Sequence, residues 1–201
     1  MATKTISSLA AVIMLAASAT ANANVISFAD PGQQVGVGQQ VSFDITMNFF
    51  ESTVGGSFDV FYDASLLSFV SFEFNADFID TAADPDFAVA PDNCFFDGAA
   101  IAGCSVGDAE LNGIGFGSID GIVGMHTIGT VTFETLGIGV GLLSMATNDA
   151  PWEGFYSAID AGEMTVVYGP GKVHVVPLPA GVWLLFSALG ITGLLRRRRS
   201  S

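Results

Sequence analysis

Between Asn24 and Gly171 the chain contains no lysine and no arginine. Its 6 basic residues are Lys4, Lys172 and Arg196, Arg197, Arg198 and Arg199, whereas all 20 Asp and Glu fall between Asp30 and Glu163. Nucleic-acid affinity rests chiefly on Lys and Arg neutralising phosphates, so no nucleic-acid partner is expected. Histidine is as scarce: His126 and His174 stand alone, outside any H-E-x-x-H pattern, and no G-x-S-x-G elbow accompanies them. Nothing positions a Ser-His-Asp triad. A glycosidase needs two carboxylates facing one groove, and among so many acids no spacing singles out a pair. No Asp-x-Asp-x-Asp-Gly loop is present either.

A length of 201 residues leaves room for one domain plus targeting segments. Residues 1–23 read as a signal peptide: Lys4, then Leu9–Ala17 as an apolar stretch, then the small-residue exit Ala21-Asn22-Ala23. This is the pattern of secretory export, with cleavage expected between Ala23 and Asn24; Ala19-Thr20-Ala21 offers an alternative two residues earlier. Cys94 and Cys104 are the only cysteines. In an oxidising compartment they are expected to pair, and closing so short a loop contributes about 2–3 kcal/mol in the chain-entropy account.

At the other end, residues 181–195 form an uncharged, apolar run. As a helix it spans roughly 22 Å at about 1.5 Å per residue, short for a hydrocarbon core of about 30 Å; local thinning or snorkelling covers the difference. Pro177 and Pro179 prevent its simple extension upstream. Arg196–Arg199 directly after it fix the orientation, since flanking positive residues stay cytoplasmic and the body then faces outward. The motif Val176-Pro177-Leu178-Pro179-Ala180, the apolar helix and the arginine cluster together resemble the PEP-CTERM family of bacterial sorting signals. The resemblance covers residues 176–201. It implies that an exosortase, a membrane-embedded cysteine-dependent sorting enzyme, recognises the tail and that this chain is its substrate, held in the cytoplasmic membrane during sorting and then delivered to the cell surface or extracellular matrix.

The body, residues 24–175, is dominated by strand signals, with no convincing amphipathic helix. Val41, Phe43, Ile45, Met47 and Phe49 alternate with polar residues, which puts five apolar side chains on one face of a strand. Shorter alternations recur at 58–62, 70–74, 130–133, 138–142, 164–168 and 172–175. Asp30-Pro31-Gly32, Gly55-Gly56, Asp97-Gly98, Asp120-Gly121 and Gly169-Pro170-Gly171 read as turns between them. The fold class expected is all-β, an antiparallel sandwich. Most of the 17 Phe are then core. An aromatic binding platform would draw on Phe61, Phe95, Phe96, Trp152, Phe155 and Tyr156, which fall off register or in turn-rich places.

The run Val35–Ile45 followed by Gly56-Ser-Phe-Asp-Val-Phe-Tyr-Asp-Ala-Ser-Leu-Leu-Ser-Phe-Val70, with Ile128–Phe133 and the closing 166–176 region, resembles the cohesin-like domain. Ala64 stands where that family often has proline. The resemblance implies a jelly-roll sandwich of about nine strands and a non-catalytic binding module, not an enzyme, whose partner is a dockerin-like protein or a polysaccharide. A structural, acidic matrix component acting through divalent-ion bridging is the alternative, and a secreted glycoside-active enzyme ranks third. No cofactor is expected. Asp77, Asp80, Asp84, Asp86 and Asp92 crowd what reads as a long loop, and Asp80, Asp84 and Asp86 are its weak calcium candidates, because calcium takes six to eight oxygens; their spacing matches no defined calcium loop.

Overall fold

The computed structural model describes residues 23–92, 95–96, 99–100, 104–147 and 154–177. Among them run thirteen strand segments: β1 (Asn24–Phe28), β2 (Gly32–Gly36), β3 (Gln40–Tyr62), β4 (Leu67–Phe74), β5 (Phe95–Phe96), β6 (Ala99–Ala100), β7 (Ser105–Val106), β8 (Glu110–Thr135), β9 (Gly139–Ala146), β10 (Gly154–Ser157), β11 (Glu163–Met164), β12 (Val166–Tyr168) and β13 (Gly171–Val176). One short helix, α1 (Ala76–Thr81), and a 3-10 turn at Pro85–Phe87 interrupt them.

The strands form two layers that share their two longest members. β3 and β8 pair antiparallel from Gln40↔Glu134 to Phe61↔Glu110. The first half of β3 and the second half of β8 lie in one layer, flanked by β1 and β12 on one side and β4 on the other. Their remaining halves lie in the second layer, flanked by β9, β13 and β2 on one side and β7 on the other. β10 and β11 extend the ladder where β3 crosses between layers.

The expected alternation over 41–49 holds: all five apolar residues are buried. Phe43, Phe49, Phe58, Phe133 and Phe155 are the largest fully buried side chains, and edge-on contacts such as Phe49–Phe155 at 5.2 Å knit the layers. Phe155, expected as a platform candidate, is therefore core.

Two expected turns are instead crossings within continuous strands. Gly55 and Gly56 lie inside β3, and Asp120-Gly121 inside β8, where the register shifts between Phe49 and Gly55. A Cβ on Gly55, which sits at φ +124°, would stand 2.3 Å from the Phe116 carbonyl oxygen, and one on Gly56 would stand 1.9 Å from that of Gly154. Glycine serves close backbone approach here, not chain reversal. By contrast, Asp30-Pro31-Gly32 and Gly169-Pro170-Gly171 do break the chain. Each Pro lacks an N–H for the ladder. At these points the first and last strands pass together from one layer to the other, β1 beside β12 and β2 beside β13, both pairs parallel.

The acidic loop is also corrected. Asn75 caps α1 through its side chain, accepting from Phe78 N at 3.1 Å, and Phe78 is buried. Asn at the N-cap with Asp77 in the first turn is a helix start signal that strand periodicity masked. His126 lies in β8 opposite Met47 with its ring 5.7 Å from that of Phe78.

Gly56→Ala is expected to lower the unfolding free energy by about 3 kcal/mol or more, since backbone must shift to admit the methyl group. Gly38→Ala, at φ +75° with nothing within 4 Å, is expected to cost only about 1 kcal/mol. Urea unfolding of both variants checks the contrast; equal costs would mean that the crossing tolerates a side chain.

Candidate functional site

The outward faces of the two layers differ in chemistry. On the layer containing β1, the face is a ladder of short polar side chains: Ser42 Oγ and Thr132 Oγ1 lie 2.9 Å apart, and the Thr130 hydroxyl donates to Asp44 Oδ1 at 2.6 Å. On the other layer, β9 points Gly141, Leu143 and Met145 inward and Val140 and Leu142 outward, and Ile138 just before it is exposed as well; the three are 48%, 64% and 63% exposed. The expected apolar alternation at 138–142 is thus real but faces solvent, because the glycines between those residues fill the inner side. Gly141 lies so close to the core that a Cβ there would be 3.1 Å from Val173 and 3.3 Å from Leu67.

The register places the body's only lysine beside this stripe. Lys172 of β13 pairs with Leu142 and His174 with Val140, while Gln34 of β2 pairs with His174. None of β2, β9 or β13 contains a carboxylate. In a chain of net charge −14, this three-strand face is an apolar, non-acidic island. Aromatic exposure lies elsewhere: Phe61 is half-buried, and Phe50 and Tyr156 are the exposed aromatics among the described residues.

Among the described residues one acid is buried. Asp59 is fully buried, its Oδ1 accepting from Gly113 N at 2.8 Å. Gly113, at φ +77°, lies where β8 carries an extra residue opposite β3, so Asp59 completes the hydrogen bonding of a bulge and presents nothing to a substrate. Tyr62 lies nearby, its hydroxyl donating to the Gly107 carbonyl at 3.1 Å, and burial, together with the Asp108 charge, raises its pKa.

The calcium candidates separate. Asp80 lies in α1, whereas Asp84 caps the 3-10 turn with Oδ1 accepting from Asp86 N at 3.0 Å. Among the described residues no three His, Cys, Asp or Glu are grouped to hold a metal ion. At the chain ends, Asn24 opens β1 and is buried, its Oδ1 accepting from Phe50 N at 3.0 Å. Val176 closes β13, and its carbonyl accepts from Val37 N at 3.1 Å. The first residue of the Val176–Ala180 motif is thus part of the sandwich. Ala21, Leu178, Pro179, Ala180, residues 181–195 and Arg196–Arg199 lie outside the described residues, as do Cys94 and Trp152. No described cysteine is free, and Cys104 is half-buried with its sulfur 3.5 Å from the Ala90 carbonyl oxygen. Among the described residues no helix is long and apolar enough to cross a membrane.

No protein-family model and no curated protein matches the chain. Solved structures do. The third cohesin ScaC of Acetivibrio cellulolyticus, solved with the ScaB dockerin, is 18% identical with a TM-score of 0.52, covering 75% of this chain and 99% of that one. A cohesin from Clostridium acetobutylicum gives 14% and 0.52, over 77% and 92%. A non-cellulosomal cohesin of the archaeon Archaeoglobus fulgidus gives 13% and 0.50, over 79% and 95%. The body has a cohesin-like β-sandwich fold. At these identities the likeness is one of architecture and transfers no residue roles.

Asp59→Ala is expected to destabilise the protein by about 2–3 kcal/mol by leaving a buried N–H without its acceptor. Thermal melting of the variant beside the wild type checks this, and an unchanged melting temperature would contradict it.

Proposed function

We propose that this chain is an exported surface or matrix protein, sorted through its C-terminal tail by an exosortase-type enzyme, whose cohesin-like domain works by binding a partner and not by turnover. The carrying observation is the outward face of β2, β13 and β9: Ile138, Val140 and Leu142 exposed side by side, flanked by Lys172 and His174 and free of carboxylates. Protein interfaces centre on apolar patches with few charges, and such a patch inside an otherwise acidic surface marks where a partner sheds water. A dockerin-like protein is the partner this chemistry favours over a polysaccharide, because sugar rings stack on exposed aromatic faces and this face exposes none. The cohesin architecture supports the same class of partner.

Sorting rests on the sequence of the two ends. In this proposal the signal peptide is removed before Asn24, residues 181–195 hold the chain in the membrane temporarily, the tail is processed near Val176–Ala180, and Cys94 and Cys104 are joined. Mass spectrometry of the surface form is expected to give an N-terminus at Asn24, loss of Arg196–Arg199, and a peptide linking the two cysteines. A surface form that retains the arginines contradicts processing.

For the binding module, Val140→Asp/Leu142→Asp is expected to weaken a dockerin found by screening a panel of calcium-loaded dockerins by at least tenfold, with melting temperature kept within a few degrees. Binding on a glycan array in place of the dockerin panel would assign the domain to polysaccharide. Calcium-dependent association of the chain with itself, with neither partner bound, would favour the acidic matrix component. A dockerin bound equally by wild type and variant would remove this face as the site.

A further inference from the structure

The end of the sandwich opposite the exit of β13 carries a second surface of different composition. β3 leads from Gln40, near Val176, to Phe50 at the far end, about 30 Å away at strand rise. Three segments meet there. Ala158 N donates to Ser52 O at 2.8 Å, and Gly121, at φ +80°, approaches both so closely that a Cβ would lie 2.3 Å from Ser52 Oγ and 3.1 Å from Ala158 Cβ. Beside this junction each segment presents an exposed apolar residue followed by an exposed carboxylate: Phe50-Glu51, Ile119-Asp120 and Ile159-Asp160, the apolar members 57%, 80% and 81% exposed.

Exposed Ile at such levels is not required by the turn. The Ile159 loop is held by its own hydrogen bonds, from Ile159 N to Ser157 Oγ at 3.1 Å and from Gly162 N to Asp160 Oδ1 at 2.9 Å, none of which uses the isoleucine side chain. Between this loop and the start of β1 opens a cleft of about 520 Å³ whose carboxylates are Glu51, Asp160 and Glu163. The Gly162 amide and the Ser157 hydroxyl lower the pKa of Asp160. No Lys or Arg lies in any of these segments.

We propose that this tip is a second docking surface, for a protein that presents Lys or Arg side chains around an apolar centre: its apolar side chains rest on Phe50, Ile119 and Ile159, and one cation enters the cleft between Glu51, Asp160 and Glu163. Charge complementarity selects this occupant. A second copy of the chain would bring one acidic rim against another, which like-charge repulsion opposes, whereas a cationic rim is drawn in and oriented. The tip lies at the far end of the sandwich from Val176 and uses none of the β9 face residues, so the two surfaces can be engaged together.

The test uses the full chain in nanodiscs of neutral phospholipid and a fluorescent 15-residue leucine–lysine peptide with its leucines on one helical face, with titrations of empty nanodiscs subtracted. Saturable binding that weakens as salt rises is expected. Ile119→Ser/Ile159→Ser and, separately, Glu51→Gln/Asp160→Asn/Glu163→Gln should each reduce affinity at least tenfold, the second also flattening the salt dependence. Val140→Asp/Leu142→Asp should leave it unchanged, which separates this surface from the β9 face. Melting curves of each variant verify the fold. Equal peptide affinity in the tip variants overturns the proposal, as does equal binding of a peptide of the same composition with scattered leucines, which would reduce the effect to bulk charge. Self-association abolished by the Ile119→Ser/Ile159→Ser change would assign the tip to a second copy and overturn it as well.

Discussion

The architecture depends on two strands that refuse to stop. β3 and β8 run together through both layers, so the sandwich is one antiparallel ladder folded over on itself, and its fold line is the place where three backbones approach too closely for any side chain. Gly55 and Gly56 on β3 face Phe116, Gly117 and Gly154 there. Bending two paired strands at the same level requires extra residues on alternate strands, and the register shifts from Phe49 to Gly55 supply them. Once the ladder is folded, the inward sides of both halves enclose Phe43, Phe49, Phe58 and Phe133. The first and last strands then close the open side, each broken at a Pro-Gly step that lets it follow the fold.

That construction determines where function can sit. Among the described residues the inner faces are filled by phenylalanine packing, and the one buried carboxylate serves a bulge. The outer faces are set by strand phase. In β9 the inner side is tight at two glycines, where a Cβ on Gly139 would lie 3.0 Å from Leu66 and one on Gly141 3.1 Å from Val173 and 3.3 Å from Leu67, and the larger apolar residues of this stretch lie outside. Tight packing on one side of a strand and an exposed apolar stripe on the other are therefore one fact seen from two sides. The charge distribution reinforces it, because acids occupy the other strands as well as bends, caps and loop tips while β2, β9 and β13 carry none.

Much of this was legible in the sequence, and the failures have definite causes. The 41–49 strand, the two Pro-Gly breaks and the sandwich class follow from period-two alternation and from the chemistry of proline. Gly55-Gly56 and Asp120-Gly121 read as turns in the sequence because the same residues that reverse a chain also allow backbones to touch, and only the partner strand distinguishes the two. α1 was missed because a turn and a half of helix is too short for hydrophobic periodicity to register, although Asn75 and Asp77 carried a capping signal. Phe155 looked out of register because its strand, β10, is short and joins the ladder at the fold line. The stripe of Ile138, Val140 and Leu142 was visible as an alternation, but its direction was not: a strand that alternates glycine with aliphatics gives no hint which side faces the core.

The same ambiguity explains why the tip escapes sequence inspection altogether. Phe50-Glu51, Ile119-Asp120 and Ile159-Asp160 are unremarkable dipeptides separated by dozens of residues, and nothing in their spacing relates them. They converge because the two bends of the ladder and the β10–β11 turn must occupy the same end, tied by the Ala158–Ser52 hydrogen bond and by Gly121. Strands β3 and β13 run between that end and the one where β13 closes at Val176. A surface patch there costs solubility unless something covers it, and the carboxylate that follows each apolar residue offsets that cost while restricting what can do the covering. Apolar attraction alone would admit many partners; the acidic rim admits those that bring positive charge.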